Sequence, residues 1–249
     1  MTGPAALACF ITGTDTGVGK THATATLLHA LRAAGLAAVG MKPIASGSEW
    51  RDGEWHNDDV DQLRAASSVD VPMAQTCPFL MRTPCSPHLA AAAEGLRITR
   101  EPIRDAFAAL RERADAVVVE GVGGFRVPLD TGPHGWDTAD LAVMLDVPVV
   151  LVVGIRLGGL NHALLSAEAI SARGLRLAGW IANRVDPDML LADENIATLR
   201  AALPVPCLGE LPWRTAPADA AAQLNLAPLL DSVRAATSIE SDGAQRLAD

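Results

Sequence analysis

The sequence predicts an α/β fold built on a doubly wound, mostly parallel sheet flanked by helices. Three observations carry this. Short apolar runs that read as buried strands recur along the chain, amphipathic stretches of helical spacing separate them, and the first run ends in a glycine-rich loop that opens a helix.

Ala6–Thr12 is the first strand, ending at Gly13. Lys20–Ala34 has helical spacing, with Ala23, Leu27, Leu28 and Leu31 on one face, and stops at Gly35. Ala37–Met41 is the second strand, followed by Lys42-Pro43. The polar, glycine-containing stretch Ile44–Asn57 is expected to be loop, and Asp58–Ala66 a helix that starts in an acidic cluster. Four prolines between Val71 and Pro87 predict an irregular excursion with at most one short strand. Thr99 reads as an N-cap, with Glu101-Pro102 in the first turn of a helix to about Arg113. Ala116–Val119 is a strand ending at Glu120, and Asp137–Leu145 a helix. Val147–Val153, Leu177–Ala182 and Val205–Leu211 complete the strands. Asn161–Ala172 and Met189–Leu203 are the intervening helices, and one more short helix follows Pro228. Residues 1–237 are expected to form a single domain and 238–249 a mobile tail.

With 49% apolar and 20% charged residues, the chain has material for a buried core. A net charge of −9 speaks against a nucleic-acid partner. Cys9, Cys77, Cys85 and Cys207 lack metal-site or disulfide spacing, which suits a reducing compartment. The N-terminus shows no basic leader segment, and no apolar run approaches the ~18–20 residues of a membrane span. A cytoplasmic protein with no membrane partner is expected.

Gly13-Thr14-Asp15-Thr16-Gly17-Val18-Gly19-Lys20-Thr21 follows a strand and precedes a helix, the context of a phosphate-binding P-loop. Gly17 and Gly19 let backbone N–H groups converge on an anion at the positive end of the new helix. Lys20 would reach the β/γ-phosphates of a nucleoside triphosphate, and the Thr21 hydroxyl would ligate Mg²⁺. Glu120, placed where a buried strand emerges, is a second candidate ligand. Any member of Asp58-Asp59-Val60-Asp61 could be a third. The composition adds a further signal: of 20 basic side chains, 18 are Arg, and the two lysines are Lys20 and Lys42. An ammonium is a compact charge that enters a tight anion pocket where a guanidinium fork does not. A second lysine beside the phosphates suits transfer of the γ-phosphoryl group to an anionic acceptor, because it offsets repulsion between the two anions.

The segment Thr12–Thr21 and Lys42-Pro43-Ile44-Ala45-Ser46-Gly47 resemble the dethiobiotin synthetase family of biotin biosynthesis. Ser86-Pro87-His88, Glu120-Gly121-Val122-Gly123-Gly124, Leu157-Gly158-Gly159-Leu160-Asn161-His162, Gly179-Trp180-Ile181-Ala182-Asn183 and Gly209-Glu210-Leu211-Pro212-Trp213 extend the likeness in the family's order. The resemblance implies a P-loop NTPase-like fold and an ATP- and Mg²⁺-dependent enzyme. Its reaction would close a cyclic urea on 7,8-diaminononanoate, with CO₂ as carbon source. It implies that Lys20 and Lys42 flank the carbamate and γ-phosphate, and that Thr16 and Ser46 hydrogen-bond the carbamate or diamine. It places Mg²⁺ on Thr21, Asp59 and Glu120. The nucleotide would meet Gly17, Val18, Gly19, His22, Gly121 and Gly123, with Asn183 at the adenine edge and Pro212 and Trp213 around base or ribose. Gly123 would also face the substrate. The family's homodimeric assembly implies that Gly158, Leu160 and Asn161 meet the substrate carboxylate of the neighbouring subunit; read without the resemblance, Asn161 is a plain N-cap.

Two other functions compete. A P-loop amide-forming synthetase coupled to a glutaminase would need a domain for which there is no room. A partitioning or positioning ATPase switch would carry a lysine early in the P-loop, where Asp15 stands, and an amphipathic anchor that Ser238–Asp249 does not provide. His88 and His162 read as cap or packing residues, Trp180 as core, and Cys85 as a candidate wall of the substrate pocket.

Overall fold

A computed structural model describes residues 7–232 of the 249-residue chain. The tail expected at 238–249, the domain end expected at 237, and Ala6 of the first predicted strand lie outside the described residues.

Six strands form the central sheet: β1 (Leu7–Gly13), β2 (Ala38–Met41), β3 (Ala116–Glu120), β4 (Val149–Ile155), β5 (Leu177–Arg184) and β6 (Cys207–Leu211). Their order is β6-β5-β4-β1-β3-β2, and every neighbouring pair is parallel. The helices that pack on the sheet are α1 (Lys20–Ala33), α2 (Asp58–Ala66), α3 (Pro87–Ala93), α4 (Arg100–Arg111), α5 (Thr138–Leu145), α6 (Gly159–Ala172) and α7 (Ala192–Ala202).

The strands are continuous apolar runs because helices cover both faces of the sheet. Cys9, Ile11, Val118, Val150 and Val152 point to one face and pack under Leu27 and Leu31 of α1 and Leu63 of α2. The alternate residues Phe10, Val117, Val119, Leu151 and Val153 pack on the other face, against Phe107 of α4, Leu141 of α5, Ile170 of α6 and Leu199 of α7. Trp180 is fully buried in that second layer, as its place in an apolar strand predicts. The chain leaves β1 for β2 across the slot that β3 later fills, and then crosses to β4 on the other side of β1. The order therefore reverses at β1, whose carboxyl end opens the crevice where ligands bind in such sheets.

Ile44–Asn57 is not the plain loop expected from its polarity. Ile44–Ala45 pairs in parallel with Phe79–Leu80, and Glu49–Arg51 pairs with Glu54–His56 as a hairpin. Asp52 (φ 50°) and Gly53 (φ 89°) are both left-handed, as a tight two-residue hairpin turn requires. Trp50 and Trp55 face each other across it with ring centroids 5.3 Å apart. Arms of three largely exposed residues carry no hydrophobic alternation, so Asp-Gly was the one readable signal. A second small antiparallel pair, Pro128–Asp130 with Trp136–Asp137, was also not expected.

The other differences lie at element ends. Asp137 caps α5 by a reciprocal pair of hydrogen bonds with Asp140. Thr99 precedes α4 without making a side-chain cap. The cap of α6 is Gly158 (φ 86°), not Asn161, which lies inside the first turn. Gly159, the first residue of the helix, sits against the Gly154 carbonyl, where a Cβ would stand 2.7 Å from the oxygen. The helix predicted from Met189 begins at Ala192, after left-handed Leu191. Residues 227–232 are helical, where a short helix is predicted beyond Pro228. Among the described residues, no helix is long and apolar enough to cross a membrane.

Candidate active site

The P-loop wraps the carboxyl end of β1. Gly17 (φ 74°) and Gly19 (φ 78°) take left-handed conformations. Gly19 also has no room for a side chain: a Cβ there would stand 2.0 Å from Asn183 Nδ2, which donates 2.9 Å to the Val18 carbonyl. Asn183, at the end of β5, thus pins the loop from behind. We expect Gly19→Ala to weaken ATP binding more than tenfold, and Asn183→Ala in the same background to recover at most part of the loss, since the backbone strain remains and any contact from Asn183 to the base is lost. Titration with a fluorescent ATP analogue reads both.

Lys20 opens α1, is buried, and donates from Nζ to the Asp15 carbonyl at 3.0 Å. Burial and the nearby Lys42 charge depress its pKa to about 8, with Glu120, Asp59 and Asp15 partly offsetting them. Lys42, just past β2, is also buried. Its N–H is fixed by the Thr76 carbonyl at 2.8 Å, and its Nζ donates to Asp59 Oδ2 at 2.9 Å and Glu120 Oε1 at 2.5 Å. Burial opposes its charge, but Glu120 and Asp59 outweigh that and hold its pKa above the ordinary lysine value. The same contact keeps the Asp59 carboxyl below its usual range despite the burial that pushes the other way.

The geometry also separates the three acids of α2. Asp58 pairs with Arg51 at 2.8 Å and Asp61 with His56 Nδ1 at 2.9 Å, while Asp59 turns towards Lys42. Asn57 caps the helix through Val60 N–H and donates to the Ser46 carbonyl at 3.1 Å, which ties the start of α2 to the segment after Lys42. Glu120, at the tip of β3, has no exposed surface. It accepts from Thr21 Oγ1 at 2.9 Å as well as from Lys42, while Oε2 has no hydrogen-bond partner among the described residues. Thr21, Asp59 and Glu120 form an all-oxygen donor set with a spare buried carboxylate oxygen. That suits Mg²⁺, which takes one or two carboxylates and fills its remaining positions with water and phosphate.

A cavity of about 710 Å³ joins these groups. Thr16, Gly17, Gly19, Lys20, Thr21, Lys42, Ser46, Asp59, Glu120 and Gly123 all line it, and the excursion Pro84-Cys85-Ser86-Pro87 closes its far wall. Ser46 Oγ donates to the Cys85 carbonyl at 2.8 Å across that wall. Gly123 (φ 63°) lies opposite Thr16, so the turn after β3 faces the P-loop. Gly121 sits behind, packed on Phe10 and donating to the Ile11 carbonyl at 2.9 Å.

Other predicted residues are not brought to this cavity within the chain. Val18 is buried against Gly154. His22 follows the loop on α1 with its Nε2 buried and without a hydrogen-bond partner among the described residues, and burial lowers its pKa. Pro212 and Trp213 follow β6, and Trp213 is exposed. Gly158, Leu160 and Asn161 form the start of α6, where Leu160 lines a separate shallow crevice with Met189 and Leu199. Among the lining residues not anticipated as site residues are Asn57, for which an Asn before a predicted helix is the available signal, and Val127, for which the sequence carries none.

The AAA_26 (AAA domain) family model matches residues 8–220. An ATP-dependent dethiobiotin synthetase BioD of Aromatoleum aromaticum is 56% identical over 221 residues, covering 88% of this chain and 97% of that protein. The protein of the same description from Ralstonia nicotianae is 56% identical over 230 residues, covering 91% of this chain and 99% of its own. Among solved structures, the signal recognition particle receptor FtsY of Elizabethkingia anophelis in complex with GDP superposes with a TM-score of 0.50 at 18% identity. It covers 94% of this chain, which spans only 65% of that receptor. The MinC:MinD cell division complex of Aquifex aeolicus gives 0.51 at 16% identity, over 83% of this chain and 81% of that one. Likeness at such identity speaks for the fold alone, whereas the two relatives match along nearly their whole length. The chain belongs to the dethiobiotin synthetase family.

Proposed function

We propose that the protein is an ATP-dependent dethiobiotin synthetase that carboxylates 7,8-diaminononanoate with CO₂ and closes the cyclic urea. The observation that carries this reading is the pair of buried lysines at one end of a cavity shared by the P-loop and two carboxylates. A nucleotide hydrolase needs one such ammonium, whereas an enzyme that moves a phosphoryl group onto an anion gains from a second.

One amine of the substrate attacks CO₂ and loses a proton, giving a carbamate held by Thr16 and Ser46. A carbamate oxygen attacks the γ-phosphorus, and the bond to the β-phosphate oxygen breaks with its electron pair leaving on ADP. The second amine then attacks the carbamoyl carbon and gives up a proton to solvent, the carbon–oxygen bond to phosphate breaks, and phosphate departs with that pair. Lys20 holds the phosphates from the P-loop side, and Lys42 offsets the charge that builds where carbamate and γ-phosphate approach. Mg²⁺ on Thr21, Asp59 and Glu120 would supply charge neutralisation at the β- and γ-phosphate oxygens. His22, Asn183, Pro212 and Trp213 serve the nucleoside end in this reading. The protein acts as a cytoplasmic homodimer, with Gly158, Leu160 and Asn161 of α6 receiving the carboxylate of the substrate bound next door; a helix N-terminus suits such an anion.

The test is phosphate release with and without diaminononanoate and bicarbonate. We expect turnover only with both, one phosphate per cyclic urea, and one ¹⁸O carried from labelled CO₂ into that phosphate. Hydrolysis at the same rate without the diamine, or unlabelled phosphate, would overturn the reading.

A further inference from the structure

An acidic residue inside a phosphate-binding loop is an electrostatic liability, and Asp15 occupies that position without a role in the chemistry above. Its surroundings explain how it is tolerated. Asp15 Oδ1 accepts the Thr16 N–H at 2.7 Å, Oδ2 accepts from Arg156 Nη2 at 2.6 Å, and its carbonyl receives Lys20 Nζ at 3.0 Å. Arg156 is the first residue after β4, and its own carbonyl accepts Gly159 N–H at 2.9 Å to form the turn into α6.

The ion pair is one of three braces between this loop and the end of β4. The Thr14 N–H donates to the Val152 carbonyl at 3.0 Å, and Val18 packs so closely on Gly154 that a Cβ there would stand 2.9 Å from it. The leading half of the P-loop, which delivers Thr16 and Gly17 to the cavity, therefore hangs on β4. Both partners of the ion pair are partly exposed, with side-chain exposures of 38% for Arg156 and 47% for Asp15, so its contribution to folding is small. Its contribution to the local potential is not, because it stands beside the site for the most highly charged part of the nucleotide.

We propose that Arg156 is a positioning residue for nucleotide binding. It cancels the Asp15 charge that would repel the triphosphate, and it turns that carboxylate so that Thr16 is held towards the cavity. The inference rests on the nucleotide reading of the P-loop and not on the diamine chemistry. A chain that bound ATP and made no cyclic urea would leave it standing, and wild-type protein that bound no ATP would show the nucleotide reading itself to be wrong.

The experiment compares ATP-analogue affinity in wild type, Arg156→Ala, Asp15→Asn and the double variant. Arg156→Ala leaves the carboxylate uncompensated, and we expect binding about tenfold weaker, as one unpaired charge at a partly exposed site would cause. The deficit should shrink towards twofold in about 1 M salt, where screening confines the repulsion to about 3 Å. Adding Asp15→Asn to Arg156→Ala should bring affinity back to within about threefold of wild type, since the repelling charge is gone and Oδ1 still accepts the Thr16 N–H. A double variant as weak as Arg156→Ala, or an Arg156→Ala deficit that ignores salt, would assign Arg156 to loop structure alone and overturn the proposal. Unchanged affinity in Arg156→Ala would do the same.

Discussion

Lys42→Arg is expected to lower kcat by about 10²–10³-fold while ATP affinity stays within about threefold, because it removes a donor aimed at charge that develops only during transfer. The variant keeps the positive charge that Asp59 and Glu120 require, so the fold has no uncompensated anion to expel. What it changes is shape. A guanidinium spreads its donors over a plane, whereas Lys42 sits with 3% of its surface exposed in a pocket fitted to one nitrogen. The forked head cannot lie between two carboxylates and also present a compact charge to the phosphate in flight. Steady-state rates with the diamine, together with a nucleotide titration, separate the two effects. Wild-type turnover in this variant would remove Lys42 from the chemistry.

The second large effect is on stability. Glu120→Ala is expected to cost about 3–5 kcal/mol, since it leaves the Lys42 charge buried with Asp59 as its remaining carboxylate. Asp59 cannot replace what is lost, because half of its side chain is exposed and water screens its attraction. For a chain of this size the loss corresponds to a fall in Tm of about 6–20 °C. Replacing both partners, as Lys42→Met with Glu120→Ala, should recover most of it, because an apolar pair avoids the desolvation cost that an unpaired charge bears. Urea unfolding measures all three proteins. A single variant that loses less than about 1 kcal/mol, or a double variant no better than the single, would show that the charges are not coupled in the fold.

Much of the fold was legible because its signals are periodic. Runs such as Val149–Ile155 are apolar throughout when both sheet faces are covered, and α1 shows its buried stripe at helical spacing. The P-loop was legible because a glycine-rich turn between strand and helix has few other uses. The hairpin at Glu49–His56 was not, since its residues are mostly exposed and its arms are too short to alternate. The site was legible in part. Lys20 and Thr21 follow from local context, and Lys42 stood out against an arginine-rich background. That Lys42 grips Glu120 could not be read, because the two lie 78 positions apart and meet only once β2 and β3 pair. The Asp15–Arg156 pair spans 141 positions and is likewise a product of β1 lying beside β4. Gly158, Leu160 and Asn161 are not among the residues that line this chain's own cavity.

A crystal structure of the protein with a non-hydrolysable ATP analogue, diaminononanoate and bicarbonate tests the two-lysine account most directly. Both Nζ atoms are expected within about 3 Å of oxygens at the γ-phosphate, with Lys42 also reaching the carbamate. A γ-phosphate contacted by Lys20 alone, with the Lys42 ammonium out of reach of both anions, would contradict it.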